Sequence, residues 1–209
     1  MKKILFLFLI LVSSEALADT AYDLYMSGNK AEGIAKWQDE ANNGNSSAKY
    51  VIGMLYNDSA QLGLCEIQDF CVFKKFSNYR KAKKIFEELY NEESDPRAAY
   101  ALAEYYDDHP LIITNYKKAA QLYSFAAERG VPEAQYNIAN MYERGDGVKK
   151  DLIQSVRWYL QCNVSSLCAA GKEGIDDLIV QLTDEEFDYA KSLVDYEIED
   201  VDIRITVGR

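Results

Sequence analysis

Histidine is almost absent from this chain: His109 is the only one. It precedes Pro110 in a turn, where a lone imidazole is a loop residue rather than a base. There is no Gly-x-Ser-x-Gly elbow, no Walker loop and no His-Glu-x-x-His pair. Serine-hydrolase, P-loop and zincin chemistry therefore lack their motifs. The pairs Asp107-Asp108 and Asp176-Asp177 could only act as acid and base in a buried, shaped site, and nothing in the sequence marks one. The expectation is a protein that is not an enzyme and uses no cofactor. Basic residues are few, 23 against 34 acids, for a net charge of −11. Nucleic acid and anionic lipid select basic surfaces, so both are poor partners; a basic protein is a good one. Past the first 18 residues no apolar run is long enough to cross a bilayer, and no membrane insertion is expected.

The N-terminus does carry a short apolar run. Lys2 and Lys3 precede Ile4 to Val12, and Ala16-Leu17-Ala18 has the small-x-small form of a cleavage site. This is the pattern of a signal peptide over residues 1–18. The mature chain is expected to start at Asp19 in the periplasm, with release beyond it left open.

What the chain has in quantity is a drifting phrase. Ala48-Lys49-Tyr50-Val51-Ile52-Gly53-Met54-Leu55-Tyr56 is echoed at Ala98 to Tyr106 and again at Ala134 to Tyr142. Tyr106 and Tyr142 lie 36 residues apart, a period that indicates stacked helical hairpins. Ala134, Ile138 and Tyr142 share one helix face. Gly145-Asp146-Gly147 then breaks the helix. Asp151 is placed to cap the next one, with Ser155, Trp158, Tyr159 and Cys162 facing inward. Asn115 and Asn78 hold the corresponding cap positions upstream. Pro132 suits a helix start, and Gly130 a helix end. Tyr22 to Ser27 reads as a short first helix, followed by one carrying Ile34, Trp37 and Ala41. Residues 168–182 read as a last, degenerate first-type helix. Thr183 with Glu186 forms a capping box for a final helix through about Glu199. The alternating segment Ile203 to Val207 can add a strand to a partner sheet or fray.

Four cysteines, Cys65, Cys71, Cys162 and Cys168, form two local pairs of equal spacing. In an oxidising compartment an even number suggests disulfides. Three connectivities are possible, and the local pairs Cys65–Cys71 and Cys162–Cys168 are favoured. Zinc usually takes tighter spacing or nearby histidines, so no metal is expected. Tyr56 to Asn78 spans 22 residues where the later repeats use nine, an insertion of 13. It lies within about residues 57–77 and contains Leu64, Phe70 and Phe73. Insertions in repeat arrays are often on the binding face, so these three are candidate contacts.

At Ala134, Tyr136, Ile138-Ala139, Tyr142, Gly145-Asp146-Gly147-Val148, Asp151 and Trp158-Tyr159 the chain resembles the Sel1-like repeat family, a relative of tetratricopeptide repeats. Ala126-Ala127 supplies the family's alanine pair in the preceding repeat. Leu-Gly survives only as Ile52-Gly53. The resemblance implies an all-α fold: a right-handed α/α solenoid of helical hairpins over residues 19–182. Full repeats would cover about 46–95, 96–131 and 132–167, with a C-terminal capping helix and tail over 183–209.

The resemblance also implies a concave face lined by the first helices. In its register Tyr50, Tyr100 and Tyr136 are equivalent, followed by Met54, Glu104 and Asn140. Asn57, Asp107 and Glu143 come next, with Arg97 and Glu133 at the edge. Tyrosine gives contact area and a hydrogen bond at low entropic cost, so such a line suits a peptide or protein loop. Equally, these tyrosines can be packing residues between hairpins. Exported Sel1-like proteins of this size and acidity include immunity proteins against type VI secretion effectors. The resemblance therefore implies a protein partner, a toxic effector with a basic contact surface. Two alternatives stay open: a cell-wall or β-lactam-binding protein, and a periplasmic regulator of a membrane sensor.

Overall fold

The computed structural model describes residues 20–58, 71–72, 76–108, 112–163 and 175–194. The described chain is helical apart from one two-stranded ladder. It divides into two compact units, with the boundary after Ile85. Among the described residues no helix is long and apolar enough to cross a membrane.

The first unit begins with α1 (Ala21–Met26), α2 (Lys30–Asn42) and α3 (Ser46–Asp58). Helix α1 starts with a reciprocal cap. The Asp23 N–H donates to Thr20 Oγ1 at 3.1 Å, and the Thr20 N–H donates to Asp23 Oδ2 at 3.1 Å. Each satisfies a donor that the helix end would otherwise leave open, worth about 1 kcal/mol. Helix α2 meets α1 at Gly33, where a Cβ would come within 2.6 Å of the Ala21 carbonyl oxygen. Only glycine allows that approach. Ile34, Ile52 and Leu55 form the core of this unit, surrounded by Tyr25, Trp37, Val51, Tyr56 and Ile85. The inserted segment contributes β1 (Cys71–Val72) and β2 (Phe76–Ser77), paired antiparallel.

Helix α4 (Tyr79–Glu93) carries the unit boundary. Beyond it come two hairpins of near-identical plan. The first is α5 (Pro96–Asp108) with α6 (Tyr116–Ala127); the second is α7 (Pro132–Arg144) with α8 (Leu152–Asn163). Helix α6 packs on both α5 and α7. Small residues make this possible: Ala98, Ala99, Ala101 and Ala103 face inward from α5, and Ala119, Ala120, Ala126 and Ala127 from α6, all buried. Alanines let helix axes approach closely, and larger side chains there would overpack the contact.

The caps fall where the sequence places them. Asn115 accepts from the Lys118 N–H at 3.1 Å, Asp151 from Gln154 at 3.0 Å, and Asn78 from Lys81 at 3.4 Å. The loops inside the two hairpins also close alike. The Asn115 N–H donates to the Tyr106 carbonyl at 2.7 Å, and the Asp151 N–H to the Tyr142 carbonyl at 2.9 Å. Gly145 ends α7 in the left-handed conformation, and Pro132 opens it at the first turn.

A helical stretch at 175–179 and α9 (Asp184–Ser192) follow. Thr183 and Glu186 form the expected capping box at 2.9 and 3.2 Å. Phe187 and Ala190 are buried, and Arg157 of α8 donates to the Leu193 carbonyl at 3.0 Å. The helix does not run to Glu199 as expected; it ends at Ser192 with Leu193 as its cap. The residues that would extend it include Asp195, Glu197 and Glu199. Acids in a last turn face the negative end of the helix dipole, which opposes extension.

Candidate functional site

The candidate site is the row that α5 and α7 present in the second unit. Its repeating element is a tyrosine on the first helix against a tyrosine on the second. Tyr100 and Tyr123 have ring centroids 5.9 Å apart at 47°; Tyr136 and Tyr159 are 5.6 Å apart at 63°. Such pairs contribute about 0.5–1.5 kcal/mol beyond their buried area. Tyr123 and Tyr159 are buried, while Tyr100 and Tyr136 are half-buried. The first-helix tyrosines are thus packed within their own hairpin and remain half-buried.

Acids and amides complete each cluster. The Tyr123 hydroxyl donates to Asp107 Oδ2 at 3.4 Å. One repeat later the Tyr159 hydroxyl lies 3.2 Å from Glu143 Oε2 and 3.0 Å from Asn140 Oδ1, sharing its single proton between them. The Tyr100 hydroxyl donates to Glu104 Oε1 at 2.9 Å, and Asn140 Nδ2 donates to the Tyr136 carbonyl at 2.9 Å. Burial pushes the Tyr123 and Tyr159 hydroxyls far above their ordinary range, and the neighbouring carboxylates Asp107 and Glu143 push the same way. Both phenols are therefore fixed as neutral donors. Asp107 is also held above its usual value, first by burial and then by Asp108 and Asp146; the Tyr123 hydroxyl and Arg144 oppose this.

A cavity of about 210 Å³ opens beside Asp107, lined by Tyr136, Asn137, Asn140, Met141, Arg144 and Asp146. A shallower one of about 350 Å³ lies between α6 and the Gly147 turn, lined by Lys117, Gln121, Phe125 and Glu128 among others.

The remaining sequence candidates fall in different places. Tyr50, Met54 and Asn57 lie on α3 in the first unit, all half-buried. Arg97 is paired with Asp95 at 2.6 Å, and Asp95 caps α5 through the Arg97 and Ala98 N–H groups. Glu133 is exposed in the first turn of α7. Leu64, Cys65, Phe70, Phe73, His109, Cys168, the N-terminal 18 residues and Ile203 to Val207 lie outside the described residues, as does the side chain of Cys71. Cys162 is buried and disulfide-bonded. Its sulfur lies 3.1 Å from the Pro132 carbonyl oxygen, a contact without a proton. Among the described residues no group of three or more His, Cys, Asp or Glu could hold a metal.

Sequence reasoning did not single out Tyr123, Tyr159, Asn137, Arg144 or Asp146 as site residues. A signal existed for the first two: Tyr123 and Tyr159 recur at the 36-residue period, as do Asp107 and Glu143.

The Sel1 repeat model matches residues 96–131 and 132–161, the two hairpins just described. Residues 96–161 thus hold two Sel1 repeats. Among solved structures it is similar to a protective antigen of uropathogenic Escherichia coli strains displaying an SLR fold. That match has a TM-score of 0.65 at 21% identity and covers 83% of this chain. The chain spans only 35% of that protein's length. It is also similar to a Sel1 repeat protein from Oxalobacter formigenes, with a TM-score of 0.54 at 21% identity, over 69% of this chain and 97% of the other. No curated protein matches the sequence. The Sel1 repeats account for the architecture of α5 to α8, an all-α solenoid of helical hairpins.

Proposed function

We propose that this protein is a non-catalytic, exported Sel1 repeat protein that binds another protein through the α5–α7 row. We further propose that it is an immunity protein that neutralises a type VI secretion antibacterial effector in the periplasm. The observation that carries the binding reading is the recurrence of one cluster in two consecutive repeats. Half-buried Tyr100 and Tyr136 are each braced from behind by a buried tyrosine, and an acid accepts from each brace. Rigid aromatic rings with satisfied polar neighbours lose little entropy on contact. The net charge of −11 favours a basic partner and speeds its approach. The signal-peptide pattern and the disulfide at Cys162 support an oxidising compartment.

The test uses the oxidised mature chain, residues 19–209, as bait on the secretome and envelope of the native cell. The expected result is stoichiometric capture of one lipase-, nuclease- or wall-hydrolase-like effector. Coexpression should then rescue cells from that effector, and Tyr100→Ala with Glu104→Lys should abolish both. Capture of a membrane sensor, or of no stoichiometric protein, overturns the immunity reading.

A further inference from the structure

We infer that the cavity between the C-terminal ends of α5 and α7 is a recognition pocket for a single arginine side chain presented by the partner protein. This rests on the protein-binding reading above and names the chemistry the partner must supply. The cavity, about 210 Å³, has room for a guanidinium and its methylene stem. One wall is the half-buried Tyr136, whose ring is braced edge-on with Tyr159 at 5.6 Å. A tyrosine in the lining suits a planar cation. Asp107 and Asp146 supply carboxylates and Asn137 an amide, while the Asn140 amide is held by Tyr159 and the Tyr136 carbonyl. A guanidinium brings five donors in a fixed plane and no acceptor.

The backbone points to the same ligand independently. Helix α5 ends at Asp108 and α7 at Arg144. The last turns of both helices, at Asp107 and Arg144, therefore line the cavity, and the negative end of a helix favours a cation. The carboxyl of Asp107 is raised chiefly by burial and further by Asp108 and Asp146. A carboxylate in that condition gains more from an added positive charge than an exposed one does.

The opposing feature is Arg144, an exposed cation on the cavity rim that already lowers Asp107. It competes with an incoming guanidinium for the same carboxylates. The pocket thus makes a prediction of opposite signs for two residues in its lining.

The probe is an acetylated, amidated Gly-Gly-Arg-Gly-Gly peptide, compared with its citrulline counterpart, which keeps the shape and loses the charge. Binding to the mature chain is followed by amide shifts in the NMR spectrum. The arginine peptide should shift the amides of residues 136–146 and bind about tenfold tighter than the citrulline peptide, as a charge-assisted contact requires. Asp146→Asn and Asp107→Asn should weaken it, and Arg144→Ala should strengthen it. Equal binding of the two peptides, shifts elsewhere, or loss of binding in Arg144→Ala overturns the pocket. If effector capture and rescue succeed while the peptide fails, the pocket alone falls. If the peptide binds as stated while capture fails, the pocket stands and the immunity reading falls.

Discussion

Tyr159 and Glu143, 16 residues apart in sequence, meet across the second hairpin with 3.2 Å between hydroxyl and carboxylate. Tyr123 and Asp107 stand in the same relation across the first hairpin at 3.4 Å. The hydroxyls therefore tie each second helix to the end of its own first helix. Tyr159→Phe and Tyr123→Phe should each cost about 1 kcal/mol of stability, since the Tyr123 hydroxyl also bonds Asn137. Urea unfolding at neutral pH gives both values. At alkaline pH the order of effects has a fixed sign. Both folded phenols lie above the unfolded value of 10.0. Their contribution is intact below that pH and is lost as pH rises through it toward the folded values. The Phe variants should lose less stability across that range than the parent protein.

Two aspartates should respond to acid in opposite directions. Burial would raise Asp95, but hydrogen bonds and charge from Arg97, with the Ala98 N–H, outweigh it and hold the carboxyl below 3.8. Its stabilisation is present above that pH and is lost as pH falls through the lowered folded value. Asp107 is raised above 3.8, first by burial. Its contribution is present below that pH and is lost as pH rises through the raised folded value. Asp95→Ala should cost about 1–2 kcal/mol at neutral pH, because the α5 cap goes with it. Asp107→Asn should leave neutral-pH stability unchanged or higher. A series of urea midpoints from about pH 3 to 7 separates the two slopes; a large loss in Asp107→Asn at neutral pH would contradict the assignment.

The turn between α7 and α8 depends on Gly147. Its φ is +70°, and a Cβ there would overlap the Tyr116 carbonyl. Gly130 has a similar φ of +83° but open space around it. Gly130→Ala should cost the backbone strain alone, about 1–2 kcal/mol, and Gly147→Ala distinctly more. Thermal unfolding of the two variants should rank them in that order.

Much of the helical plan was legible before any coordinates. Asn115 and Asp151 read as caps because a short polar side chain can reach the first open N–H groups only at a helix start. The box of Thr183 with Glu186 was legible for the same reason. The end of α9 was not. Phe187, Ala190, Leu193 and Val194 keep helical spacing, and that pattern masked the cost of placing acids at the negative end of the dipole. The site was legible by half. Tyr100, Tyr136, Glu104, Asp107, Asn140 and Glu143 were marked from register. Of their buried partners Tyr159 reads only as inward-facing and Tyr123 is not singled out, because periodicity assigns a face and does not say where a hydroxyl points.

The sequence by itself determined the hairpin period, the helix starts and the turns. The starts and turns depend on residues within about one helical turn of one another, where backbone hydrogen bonding and steric limits act, and the period is their recurrence along the chain. Only the tertiary structure decided that Asp107 of one repeat shares a cavity with Asn137, Asn140, Arg144 and Asp146 of the next. That meeting depends on how α5 and α7 are set by the alanine-lined packing of α6. The offset between neighbouring hairpins arises from the fit of whole surfaces rather than from any local spacing.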